Sequence, residues 1–292
     1  MIDYRNIIKD REFRLKLIDK LRFIPDKPYV KMVFWIKNGK RLNINNPKTF
    51  CEKQNWLKLY DVHPEYTQLV DKIAVRDYVT QKIGTDISFP ILGVWDSIKD
   101  IDFTKLPEKF VLKCNHDSGS VKIIDDKNKI DVDELDKFYK GRMKINPYYT
   151  GREYPYKNVK PKIFAEKYMI SSGAKDINDY KFFCFDGKPE IMFIATDRNT
   201  DVRFDFFDMN FEHLDIFYVH PNSDNKIEKP ETFDEMKEIA SKLSEGMKFV
   251  RIDLYEINGK VYFGEYTIFN GGGFWPILPD EWDKKLGDLI KI

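Results

Sequence analysis

Apolar positions along this chain switch between two spacings. Residues 9 to 22 place Phe13, Leu15, Leu17, Ile18 and Leu21 on one stripe among charges, and a further apolar set recurs through Trp56, Leu57 and Leu59. The first third therefore reads as helical. From Asp71, the segment DKIAVRDYVTQKIG spaces Ile73, Val75, Tyr78 and Val79 near the helical period and ends at Gly84, a suitable C-terminal cap. FPILGVW and FVLKCN follow as short, β-rich runs bounded by turn residues. After a charged stretch from 125 to 160, strand-like runs return as KIFAEKYMI and YKFFCFDGKPEIMFIAT, where Asp186 and Gly187 predict a tight hairpin. MKEIASKLSEGM reads as an amphipathic helix, and FVRIDLYEINGKVYFGEYTIF puts Asn258 and Gly259 between two alternating strands. The expected class is α+β, with a mostly antiparallel sheet and flanking helices in the second half rather than a doubly wound parallel sheet.

Composition narrows the partners. With 33% charged, 42% hydrophobic and 15% aromatic residues over 292 positions, the chain has enough apolar mass for a folded soluble protein and is not a disordered one. Its 49 Lys plus Arg offset 48 Asp plus Glu, so net charge gives no reason to expect nucleic acid as a partner. Cys51, Cys114 and Cys184 are far apart, and His63, His116, His213 and His220 make no zinc spacing with them. Sparse, odd cysteines fit buried thiols in a reducing cytoplasm. The first twenty residues lack a signal peptide's apolar core, and no run approaches the ~20 apolar residues of a spanning helix.

Candidate chemistry concentrates on the second hairpin. In VRIDLY, Arg251 and Asp253 share one strand face, and GEYT puts Glu265 and Thr267 where they can oppose Asp253 and Arg251. Adjacent carboxylates repel unless a cation intervenes, and Mg²⁺ held by one or two carboxylates plus nucleotide phosphates is a common solution. A cross-strand ion ladder on a solvated sheet face meets the same pattern. FVLKCNHDSGSVKI delivers Lys113 and then the small polar turn Asn115, Asp117, Ser118, Gly119 and Ser120, which can fold over phosphates or serve as an ordinary hairpin; it is not a Walker loop. Glu166 and Lys167 interrupt an apolar strand in FAEKYMI, and Lys181 does the same in DYKFFCF. Lysines 113, 167 and 181, one per strand, would combine with the carboxylate hairpin into a site for polyphosphate and metal.

The motifs YTQLVDKIAVRDYV, FVLKCNHDSGS, DYKFFCFDGKP, VRIDLY and GEYTIFNGGGFWP with EWDKKLG, in that order, resemble the ATP-grasp superfamily, and in particular the TupA-like ATP-grasp proteins found among surface-polysaccharide genes. The resemblance implies an ATP-grasp fold of two α+β subdomains. Residues 1–90 would form a helical N-terminal region, 91–170 a lid with the phosphate loop and adenine hinge, and 171–292 the catalytic subdomain. It implies that Lys72, Lys113 and Lys181 contact phosphates and that Asp117, Ser118, Gly119 and Ser120 close over them. Glu166, Lys167, Tyr168 and Met169 would hold adenine, and Asp176 or Asp179 the ribose. Arg251 would stabilise the transferring phosphoryl group beside Mg²⁺ on Asp253 and Glu265. Thr267 stands where many such enzymes have Asn, so Asn270 is the candidate substitute. Gly271, Gly272 and Gly273 match the position where an acyl substrate comes close.

The implied activity is an ATP- and Mg²⁺-dependent carboxylate–amine ligase acting through an acyl phosphate. Its substrates would be a small-molecule or glycan carboxylate, a uronic acid in the polysaccharide setting, and an amine donor, with polysaccharide-assembly enzymes as associates. Phosphoryl transfer to a sugar or lipid-linked hydroxyl, and a non-catalytic carbohydrate-binding homologue, are the rival readings. Arg198 and Arg203, among the aromatics of TDRNTDVRFDFF, are the acceptor-binding candidates, since arginines bind carboxylates bidentately; a charged loop at the sheet rim accounts for them equally. For the N-terminal third, including NPKTFCEKQNWLKLY, the sequence suggests only helical packing.

Overall fold

A computed structural model describes Ile18 and residues 20–170, 177–197 and 201–292. The stripe from 9 to 17, Asp176 and Arg198 lie outside these residues. The elements are α1 (Asp26–Asn38), α2 (Phe50–Tyr60), α3 (Tyr66–Val70), α4 (Val75–Ile83), β1 (Ile91–Trp95), β2 (Phe110–Cys114), β3 (Lys122–Ile124), α5 (Val132–Met143), α6 (Tyr148–Gly151), β4 (Ile163–Lys167), β5 (Asp179–Phe185), β6 (Lys188–Thr196), β7 (Arg203–Asp208), β8 (His213–Leu214), α7 (Phe233–Ser244), β9 (Phe249–Ile257), β10 (Lys260–Thr267) and α8 (Asp280–Leu289). Strands β1, β4, β2 and β3 form one sheet in that order, and β10, β9, β5, β6, β7 and β8 form the other. All these pairings are antiparallel, as the hairpin pattern predicts.

The predicted turns have the backbone that their residues favour. Asp186 and Gly187 (φ 51° and 78°) join β5 to β6, and Asn258 and Gly259 (φ 51° and 71°) join β9 to β10. Thr49 and Glu52 cap α2 reciprocally, Thr49 accepting from the Glu52 N–H while the Glu52 carboxylate accepts from the Thr49 N–H. Gly84 ends α4 in the left-handed conformation.

Each sheet has its own core. Phe110, Leu112 and Cys114 of β2 pack with Ile163 and Ala165 of β4 against Leu135 and Tyr139 of α5. In the larger sheet, alternate residues of β5 go to opposite sides. Phe182 meets Phe233 of α7 at 6.1 Å between ring centroids, whereas Phe183 and Phe185 meet Phe50 of α2 at 5.8 and 6.1 Å. Lys181 belongs by alternation to the Phe183 face. That face is therefore apolar where α2 covers it and ionic at its other end.

Helix α8 clamps α2 from outside. Asp283 accepts from the Cys51 N–H at 3.0 Å, and Lys53 reaches the Ile290 carbonyl at 2.8 Å. A Cβ on Gly287 would sit 2.4 Å from the Lys48 carbonyl oxygen and 2.6 Å from the Thr49 carbonyl carbon. Alanine in a helix gains about 1 kcal/mol over glycine, but here it meets backbone that cannot swing aside. Gly287→Ala is expected to destabilise the protein by about 1–3 kcal/mol in urea unfolding. Among the described residues no helix is long and apolar enough to cross a membrane.

Candidate active site

The second hairpin contains a device that its alternation alone conceals. A regular ladder closed at Asn258 and Gly259 would place Glu265 opposite Ile252, on the wrong face. The pairing instead slips between Phe263 and Glu265, so that Gly264 is bulged and Glu265 stands opposite Asp253, with Thr267 opposite Arg251. Glycine is needed there because a Cβ would lie 2.7 Å from the Tyr255 ring and 3.0 Å from the Asp253 carbonyl oxygen. On the other side of β9, Lys181 of β5 pairs with Asp253. Lys181, Asp253 and Glu265 thus form one row across three strands.

The row is buried at its centre and partly covered at both ends, unlike a solvated ion ladder. Asp253 is 1% exposed. Arg251 donates to it from Nε at 2.6 Å and from a terminal nitrogen at 2.7 Å, and Lys181 forms a short ion pair with the same carboxylate. Lys181 also reaches Asp179 at 2.6 Å. Glu265 lies 3.3 Å from Lys72 and 3.6 Å from Arg251. Burial pushes the Glu265 carboxyl up, but Lys72, Lys181 and Arg251 together outweigh it and hold it at about 2. Burial likewise pushes Asp253 up, against the two cations in contact with it. Arg251 also donates to the Asn270 side-chain oxygen at 2.7 Å.

The smaller sheet faces this row across a cleft of about 200 Å³. Its lining brings together Lys72, Lys113, Asp117, Ser118, Gly119, Ser120, Glu166, Asp179, Lys181 and Glu265, and adds Arg76, Phe89, Tyr255, Phe263 and Gly264, which motif reading missed. Lys113 is bonded to Glu166 at 2.5 Å. The Phe89 ring lies 5.5 Å from Tyr255 and 5.3 Å from Tyr262, building an aromatic wall. Phe89 opens the strand-like run FPILGVW, but the strand itself begins at Ile91, which leaves Phe89 in the preceding loop.

In the phosphate-loop candidate the four residues separate. The Asp117 carboxylate is spent on Arg142 of α5, at 2.6 Å from its Nε, and on the Ser120 hydroxyl at 2.5 Å. Ser120 in turn accepts from the Cys114 N–H at 2.7 Å. These two side chains anchor the turn, so that what it presents to the cleft from Asp117 and Ser120 is backbone rather than carboxylate or hydroxyl. Ser118 and Gly119 are exposed between the anchors, and Lys72 donates to the Asp117 carbonyl at 3.0 Å.

Other expected residues lie off the cleft lining. Lys167 is exposed at the end of β4, its N–H donated to the Pro90 carbonyl at 2.9 Å, with Tyr168 and Met169 following. Arg203 does not reach the cleft, because β5 and β6 separate its strand from β9. It bonds Asp201 at 2.5 Å and the Asn222 carbonyl at 3.2 Å instead. Gly271, Gly272 and Gly273, all at positive φ, form a turn held by α2, where Asn55 donates to the Gly273 carbonyl at 2.6 Å and Lys58 to the Gly272 carbonyl at 2.5 Å.

The N-terminal third thus has a role beyond packing. The buried residues of α2 are Phe50, Cys51, Gln54, Asn55, Leu57 and Lys58, a helical stripe that is half polar. Lys58 is 2% exposed and sits 3.9 Å from the Phe274 ring centroid. Burial lowers its ammonium to about 7, partly opposed by Glu153. Polar residues at buried helical spacing were the available sign of this contact.

The sequence matches the family described as TupA-like ATPgrasp over residues 52–291. None of the curated proteins matches it. Among solved structures, D-alanine--D-alanine ligase from Bacillus anthracis is similar at 19% identity and a TM-score of 0.46, covering 81% of this chain and 72% of that one. The same enzyme complexed with ATP gives 17% and 0.41, with 76% of this chain covering 63% of that one. D-Alanine-D-alanine ligase from Helicobacter pylori gives 14% and 0.42, with 83% and 69% covered. From helix α2 through the bulged hairpin to α8, the matched span takes in both sheets and the cleft between them, and the chain belongs to the TupA-like ATP-grasp family.

Proposed function

We propose that the protein is an ATP- and Mg²⁺-dependent ligase that joins a carboxylate to an amine through an acyl phosphate. The observation that carries this reading is the row Lys181, Asp253 and Glu265, centred on the buried Asp253, with Arg251 and Lys72 beside it. Taking so many charges out of water is costly and adds little stability, which favours a functional role for them. A triphosphate entering the cleft would draw Lys72, Lys113, Lys181 and Arg251 onto its oxygens, with Ser118 and Gly119 closing over it. The Asp253 and Glu265 oxygens would then be released for a cation.

Mg²⁺ fits this donor set of two adjacent carboxylates, with the Thr267 hydroxyl and the Asn270 amide oxygen nearby in sequence. Among the described residues no group of three His, Cys, Asp or Glu could hold a metal unaided, so phosphate and water supply the remaining oxygens. When bound, the ion neutralises charge on the phosphates. The chain's own residues position the reactants: the cations align the γ-phosphoryl group with the acceptor carboxylate, and Glu166 to Met169 with the Phe89 and Tyr255 wall hold the base. Attack by the carboxylate gives an acyl phosphate and ADP, and attack by the amine then releases phosphate.

A uronic acid of a surface polysaccharide, or its nucleotide-sugar precursor, is the proposed acceptor, in a cytoplasmic reaction beside polysaccharide-assembly enzymes. The test is ADP release from ATP and Mg²⁺ with a panel of uronic acids and amines. The ligase reading expects ADP only when both substrates are present. ADP with a hydroxyl acceptor alone would favour phosphoryl transfer, and absence of nucleotide binding would overturn both.

A further inference from the structure

A carboxylate outside the nucleotide motifs, off the cleft lining, makes no hydrogen bond or ion pair of its own among the described residues and is opposed only at longer range by Lys58 and Lys37. Glu153 precedes a short 3-10 turn, Tyr154–Tyr156, but its side chain makes no capping bond. Among the described residues it forms neither a hydrogen bond nor an ion pair, though it is only partly exposed. Its location is fixed by the residue before it. Arg152 has φ 55°, a left-handed backbone that non-glycine residues rarely adopt. The strain is held by a buried guanidinium that donates to the Leu21 and Ile24 carbonyls at 3.0 and 3.1 Å and stacks 4.2 Å from the Tyr29 ring centroid. Strain sustained by so many contacts marks a residue whose backbone direction matters.

Glu153 is directed at the glycine turn. A Cβ on Gly272 would lie 3.4 Å from its Oε1, and one on Gly151 2.7 Å, so glycine at both positions leaves room around the carboxylate. Tyr156, whose hydroxyl makes no hydrogen bond among the described residues, is under the influence of Glu153, Glu265, Arg251 and Asp253 together, which joins this corner to the ionic row. Asn270 closes it: 2% exposed, it accepts from Arg251 through its oxygen and lies beside the Tyr218 hydroxyl.

We propose that Glu153 receives the ammonium group of the amine co-substrate, with Tyr156 and the glycine turn around it, an inference that rests on the ligase reading above. The class of co-substrate is a primary amine that arrives protonated. One N–H proton passes to the Glu153 carboxylate, and the freed lone pair forms the C–N bond at the acyl carbon. The C–O bond to phosphate breaks, with phosphate keeping the electron pair and taking the second nitrogen proton. Glu153 then returns its proton to water. Burial pushes the Glu153 carboxyl up to about 6, opposed by Lys58 and Lys37, close to the range where a base works best at neutral pH.

The test compares nucleophiles on wild type and Glu153→Gln, with ATP, Mg²⁺ and glucuronate or galacturonate. Hydroxylamine, neutral near physiological pH, needs no ammonium site and traps an acyl phosphate as hydroxamate. Glycine, lysine and ethanolamine carry ammonium groups. Glu153→Gln is expected to keep hydroxamate formation while losing about 30-fold or more in kcat/KM for the ammonium donors, in KM through the lost ion pair and in kcat through the lost proton acceptor. Equal loss for both nucleophiles, or no loss for either, overturns the role of Glu153 alone. Absence of hydroxamate with wild type overturns the ligase reading and this inference with it. If the Gln variant does not fold, Glu153→Asp, which keeps the charge and withdraws it by one methylene, carries the same comparison.

Discussion

Glu265→Gln is expected to fold normally and to lose roughly a thousandfold in turnover, the scale of removing a charge that holds the phosphate-bound cation. Glu265 is the cleaner of the two acidic positions to test because its side chain is 34% exposed and touches Lys72 and Arg251 at 3.3 and 3.6 Å rather than in tight contact. Glutamine keeps its volume and one acceptor oxygen. The pH dependence has a definite sign. A carboxyl held at about 2, against an ordinary value of 4.5, contributes stability that is present above 4.5 and lost as pH falls toward 2. Melting temperatures of wild type and Glu265→Gln should therefore converge across that window. Retained turnover in the variant would refute the cation assignment.

Asp253→Asn is expected to lose stability as well as turnover. The carboxylate is 1% exposed and is gripped by both Arg251 and Lys181. Neutralising it leaves two buried cations short of a counterion, which costs about 3–5 kcal/mol. For a chain of this size the melting temperature should fall by roughly 10 °C. Added ATP supplies negative charge to the same cations, so nucleotide should still raise the melting temperature of the variant. The extra rise that Mg²⁺ adds to ATP in wild type should vanish. A variant as stable as wild type, with the Mg²⁺ effect intact, would mean that this carboxylate neither anchors the row nor meets the ion.

The fold was legible because its signals are local. Turn pairs at Asp186–Gly187 and Asn258–Gly259, the alternation of β9 and the helical period before Gly84 each act within a few residues. The face of Glu265 was read correctly, but the reason lay in Gly264: alternation counted from the turn puts Glu265 on the opposite face, and only the bulge restores it. A glycine inside a strand is the mark of such a slip. The anchoring of the turn by Asp117 was not legible, because its partner Arg142 lies on a helix that no sequence motif connects to the turn. Glu153 had no signal at all, since its significance comes from its place beside the glycine turn, which only the fold brings about. Lys58 and Gln54 did have one, as polar residues on the buried stripe of α2.

Transfer of oxygen tests the central claim most directly. With ¹⁸O in the acceptor carboxylate, ATP, Mg²⁺ and an amine, an acyl phosphate carries one labelled oxygen into inorganic phosphate as the C–N bond forms. The account predicts phosphate bearing a single ¹⁸O in proportion to the amide produced. Phosphate free of label, or ADP formed with the phosphoryl group retained on a hydroxyl of the acceptor, would contradict it.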